Sequence, residues 1–177
     1  MATYKSAAYI QGNVYRPTTE APFAITSTIK IPSGTLLAAS DVFKFFKIGA
    51  NVQILDITFH TSDLDTGTAI TLDLGYDCPT VTDDDNAFLD NSTIGQAGGF
   101  VRVENGGDDP FAVGLLAAIA ETITIQGKVE VAPTTDPATD RYLTVTARCQ
   151  KVSAVPSATP EYVYANRYSL TTGRATL

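Results

Sequence analysis

Apolar residues in this chain recur at every second position over stretch after stretch, and that period of two belongs to β-strands with one buried face. Between residues 23 and 31, Phe23, Ile25, Ile29 and Ile31 fall on one face, and the turn Pro32-Ser33-Gly34 ends the segment. Residues 41–48 follow as a second strand, closed by Gly49. In the segment 52–61, Val52 and Ile54 alternate out of phase with Leu55, Ile57 and Phe59, which predicts a β-bulge near Ile54. Beyond a turn at Asp65-Thr66-Gly67, residues 70–76 alternate again, so the first half reads as a meander. Three more strands are expected at 100–103, at 122–131 with a break at Gly127, and at 142–152, where Leu143, Val145, Ala147 and Cys149 share one side. The pattern fails between Asp83 and Asn91, which reads as one helical turn or a loop, and residues 111–121 fit either a helix or a buried strand. Short strands at this spacing with marginal helix make the chain all-β: an antiparallel β-sandwich or jelly roll.

Composition supplies the material for such a core. Of 177 residues, 44% are hydrophobic and 18% charged, which suits one folded domain and not a disordered chain. The formal net charge of -7 has the wrong sign for gripping a phosphate backbone, so nucleic acid is not an expected partner. The longest apolar run, Phe111 to Ala120, contains Gly114 and falls far short of the ~20 residues a membrane helix needs, so no membrane partner is expected. The first six residues carry no apolar core of a secretory signal, which points to synthesis in a cytoplasm. Cys78 and Cys149 lie far apart without metal-ligand spacing, and in a reducing compartment they read as two small buried thiols.

Residues 1–22 and 153–177 do not join the alternation and read as N- and C-terminal arms around a body of residues 23–152. Aromatic types are sorted between these parts. All eight Phe are in the body, whereas six of the eight Tyr, namely Tyr4, Tyr9, Tyr15, Tyr162, Tyr164 and Tyr168, lie in the arms. Phenylalanine suits a dry core; tyrosine combines apolar area with a hydroxyl that can stay wet, and is favoured at protein interfaces. Charge is sorted as well. Residues 1–50 and 141–177 are net basic, while 51–110 carry one base against twelve acids. Basic ends and an acidic middle favour self-association, head to tail or by an arm clasping a neighbour. Two readings of the arms follow: extra edge strands folded back on their own body, or contacts with another subunit carried by the six tyrosines together with Arg16 and Arg167.

No catalytic constellation emerges from the residues. His60 is the single histidine, and no nucleophile elbow, His-Glu-x-x-His, Cys-x-x-Cys or phosphate-cradling loop accompanies it. Gly95-Gln96-Ala97-Gly98-Gly99 lacks the strand-to-helix context of a dinucleotide loop and reads as a tight turn. Two acidic runs, 63–67 and 83–86, are the only calcium candidates. The first has Thr68 and Leu74 where an EF-hand needs Gly and Glu, so a hairpin turn explains it better. The expectation is a protein that is not an enzyme, with no catalytic residue, no cofactor and no metal.

Ile31-Pro32-Ser33-Gly34, Leu37-Ala38-Ala39-Ser40-Asp41-Val42, Leu64-Asp65-Thr66-Gly67 and Leu72-Asp73-Leu74-Gly75-Tyr76 together resemble small virion structural proteins of tailed bacteriophages, above all the head decoration, or cement, proteins. The resemblance covers a little over a third of the chain and rests on the order of these phrases. It implies an all-β body, often a homotrimer, bound to the outer surface of the phage head where major capsid proteins meet. The other reading is a tail or fibre component whose β-sandwich recognises a host-surface glycan; it calls for an exposed aromatic platform, and the chain has no Trp.

Overall fold

The computed structural model describes residues 1–79, 84–103, 121–135 and 137–152. Its elements in chain order are β1 (Thr3–Lys5), the single turn of helix α1 (Ala7–Ile10), β2 (Val14–Tyr15), β3 (Phe23–Ile31), β4 (Val42–Ile48), β5 (Val52–Thr61), β6 (Thr71–Asp77), β7 (Asp84–Ser92), a 3-10 turn at Thr93–Gln96, β8 (Gly99–Val103), β9 (Ile123–Val131) and β10 (Arg141–Lys151). Two sheets form a sandwich, one in the order β3-β10-β5-β8, the other β1-β4-β9-β6-β7 with β2 also on β4. All pairings are antiparallel except those of β1 and β2 with β4.

The alternation becomes burial directly. In β3 the residues Ile25, Ser27, Ile29 and Ile31 are buried and their neighbours exposed; β10 buries Leu143, Val145, Ala147 and Cys149. Between the sheets Phe43, Phe45, Phe46 and Phe59 are fully enclosed, and the Phe45 and Phe59 rings meet edge to face at 6.1 Å, one from each sheet. Each such side chain contributes roughly 1.5–3 kcal/mol relative to exposure. The bulge in β5 falls on Leu55: Arg148 pairs with Asp56 and Cys149 with Ile54, leaving Leu55 unmatched. Both cysteines are free and buried. Burial pushes the Cys149 thiol up to about 12, since an apolar surrounding disfavours the thiolate.

Four expectations are overturned. The first half is not a meander, because β3, β4, β5 and β6 alternate between the two sheets. Alternation fixes which face is buried and carries no information about which sheet a strand joins. The Asp65 turn is accordingly a crossover between sheets and no hairpin. Residues 84–92 form a strand, although its register against β6 shifts twice, between Leu72 and Leu74 and between Leu74 and Tyr76: Leu72 pairs with Ser92, Leu74 with Leu89 and Tyr76 with Asp84. Only Phe88 of that strand is buried, so no alternation marks it. Gly127 does not break β9. The strand is continuous through it, and a Cβ there would press on the Asp73 carbonyl at 3.3 Å while meeting the Phe45 and Phe43 rings in ordinary contact at 3.5 and 3.6 Å. Residues 3–15 run along the edge of β4, the first of the two readings open for the N-terminal arm.

Gly98 has a φ of +70°, and a Cβ there would lie 2.8 Å from the Asp63 backbone nitrogen, which accounts for the tight turn expected at 95–99. Phe111 and most of 111–121 lie outside the described residues, as does the whole segment 153–177 with Tyr162, Tyr164, Arg167 and Tyr168.

Candidate interaction surface

The N-terminal edge is built from the bulge in β4. Lys44 pairs with Gln126 of β9 and Phe46 with Ile125, so Phe45 is the extra residue. In a regular strand, residues three apart point to opposite faces. The inserted Phe45 shifts the phase, so that Phe43, Phe45 and Phe46 are all buried while Lys44 and Lys47 are both half-exposed. The carbonyl that the bulge frees from the ladder accepts the Ser27 hydroxyl at 3.1 Å and also the Ser6 hydroxyl. Ser6 in turn caps α1 by accepting the Tyr9 amide at 3.1 Å.

This arrangement decides what the N-terminal tyrosines do. Tyr4 pairs with Phe43 and stacks on its ring at 5.4 Å; Tyr15 meets Phe46 edge to face at 6.3 Å. Their rings extend the core of their own body. Burial raises the Tyr4 hydroxyl pKa, helped by the Asp41 carboxylate. Tyr9 sits at the centre of a basic cluster: the Lys5, Lys44 and Lys47 ammonium groups lie 5.7, 6.0 and 5.1 Å from its ring centroid. Arg16 is exposed, with its side chain against Gly49.

The same sheet turns acidic across its width. Lys44 binds Asp77 at 2.6 Å, and Lys128 of β9 bridges Asp85 at 2.8 Å and Glu130 at 3.2 Å. Lys44, Asp77, Asp85 and Lys128, with Met1 and Gln126, line a shallow depression of about 430 Å³. Asp85 reaches Lys128 because the start of β7 folds over Gly75, where a Cβ would come within 2.0 Å of the Asp84 carbonyl. Asp73 is buried beneath, accepting the Asn91 amide at 2.8 Å; burial, together with the charges of Glu130 and Asp90, holds its carboxyl above the usual range.

Of the acidic runs, the first is occupied by the chain itself. Asp65 is fully buried and accepts the amides of Gly67, Ala69 and Ile70 at 2.9–3.2 Å and those of Thr134 and Thr135 at 3.2 Å. Burial opposes its ionisation, but these amides outweigh that and hold the carboxyl well below the usual range. Asp65 therefore locks the β5–β6 crossover to the β9–β10 loop. Among the described residues no group of three or more His, Cys, Asp or Glu side chains is placed to hold a metal ion. His60 stands exposed on the outer face of the four-stranded sheet, paired in register with Phe100. Phe100 departs from the expectation of a core phenylalanine: it is 72% exposed, and Tyr142 shares that face.

No family profile and no curated protein sequence matches the chain. Solved structures do. It is similar to a chain in the capsid of Ralstonia phage GP4, with a TM-score of 0.65 and 25% identity, over 86% of this chain and 100% of that one. It also shares its fold with a chain in the capsid asymmetric unit of cyanophage Pam1, with a TM-score of 0.56 and 18% identity, over 78% and 91% of the two chains. The structural neighbours are thus chains of phage capsids, and the second likeness is one of fold alone.

Proposed function

We propose that this chain is a virion structural protein of a phage, and specifically a capsid decoration protein that binds the outer surface of the head and bridges major capsid proteins as a homotrimer. The observation that carries the reading is the likeness to a phage-capsid chain that is matched along its whole length, so that the body of this protein corresponds to an entire virion component. Lys44 with Asp77 and Lys128 with Asp85 form ion pairs across strands, and Asp65 is a backbone lock, an arrangement that suits a rigid contact surface. The outer face of the four-stranded sheet, where Phe100 and Tyr142 are exposed among the described residues, offers large aromatic side chains of the kind that anchor protein contacts.

Mechanically, a protein that binds the mature, expanded shell more tightly than its precursor stabilises the expanded state by the difference in binding free energy, copy by copy. Each contact can be modest because symmetric copies act together. Heating purified heads with and without the protein tests this. Rupture at a higher temperature with the protein bound is expected; equal rupture temperatures would refute it.

A further inference from the structure

The two margins of the larger sheet carry opposite charge. At one margin Lys5, Lys44 and Lys47 crowd around Tyr9, with exposed Arg16 nearby in sequence. Only Lys44 of the three lysines has a carboxylate partner among the described residues, Asp77; Lys5 and Lys47 have none. At the other margin β7 is the last strand, with no strand on its outer side among the described residues. It carries Asp84, Asp85 and Asp90, and Asp73 and Glu130 lie close by. Lys128 engages Asp85 and Glu130, which leaves Asp84 and the exposed Asp90 without a cation among the described residues. The Asp73 carboxyl is held above its ordinary range chiefly by burial, with the charges of Glu130 and Asp90 adding to it.

We infer that copies of this chain dock edge to edge, the acidic β7 margin of one against the lysine cluster around Tyr9 of the next. The inference deepens the self-association in the reading above and names its surfaces. Two different patches that fit each other make a heterologous contact, which closes into a ring when the rotation allows. An exposed strand edge invites a partner, and complementary charge fixes which partner and in which register. A second copy is the occupant that presents the matching patch on this same molecule, at the opposite end of the same sheet.

Charge reversal separates this from other modes. Lys5→Glu with Lys47→Glu in one variant, and Asp84→Lys with Asp90→Lys in another, should each weaken self-association at least about tenfold in sedimentation velocity. The chain carrying all four reversals should regain it and fail to co-assemble with the unaltered protein. Wild-type association should weaken as salt is raised, a readout that does not depend on any variant folding. An oligomer that is indifferent to salt and to both reversals would overturn this interface while leaving self-association intact. A wild-type protein that stays monomeric would overturn the self-association itself. Binding to heads is measured separately and is touched by neither result.

Discussion

Replacing Asp65 by Asn keeps the shape of the side chain and removes what the site is built to hold. Oδ2 accepts the amides of Ala69 and Ile70, and Oδ1 those of Gly67, Thr134 and Thr135. Whichever oxygen becomes an NH2, at least two buried N–H donors then face a donor. At about 1–3 kcal/mol for each buried group left unsatisfied, the loss is roughly 2–6 kcal/mol, a large part of the ~5–15 kcal/mol that holds a domain together. That corresponds to a fall in melting temperature of about 10 °C for a chain of this size. The pH dependence has a definite sign. Asp65 ionises below its ordinary value of 3.8 in the folded state, so its contribution is complete above that value and is lost as pH falls through it toward the folded one. The gap between wild type and Asp65→Asn, measured by calorimetry, should therefore be constant from pH 7 to about 5 and narrow steadily below pH 4. A gap that is the same at pH 3 and pH 7, or no gap at all, would refute the assignment of Asp65 as an ionised lock.

Asp73 should behave oppositely: its carboxyl is held above the ordinary value, so Asp73→Asn should melt higher than wild type at pH 7, with the advantage vanishing below the usual carboxylate range. Thermal scans at the two pH values decide it. Gly75→Ala should destabilise by about 2 kcal/mol or more, because the methyl group meets the Asp84 carbonyl and the start of β7 must move; hydrogen exchange should show the loss confined first to residues 84–92. Cys149, buried and with its thiol pushed up to about 12, should resist alkylation at pH 8 in the native protein and react promptly once the chain is unfolded.

The strands that pack on both sides of one core were legible because alternation is a local consequence of having one wet and one dry face. β3 and β10 follow it residue by residue, and the phase slip at Leu55 announced the bulge that the register shows. Sheet membership was not legible, since nothing in Val42 to Ile48 says that β9, over seventy residues away, will be its neighbour. β7 escaped detection because it leans on Gly75 and Lys128 in place of an alternating apolar face. Its one usable signal was Phe88 amid acids.

At the N-terminal edge the sequence singled out the tyrosines without showing their placement. Tyrosine enrichment marks a border between apolar and wet surroundings, and Tyr4 and Tyr15 occupy such a border on their own body, against Phe43 and Phe46. The grouping of Lys44 with Lys47 around Tyr9 depends on the bulge at Phe45, which interrupts β4 where three apolar residues in four blur any phase. Phe100 was misjudged for a related reason: residue type predicts burial on average, whereas the register of β8 against His60 puts this ring on the outer face.

The account rests on attachment of this protein to the outside of a phage head. Electron microscopy of purified particles carrying the protein with a dense label on its chain measures that directly. Regularly spaced label over the entire head exterior is the predicted image; label confined to the tail, or absent from the particles, would contradict the account.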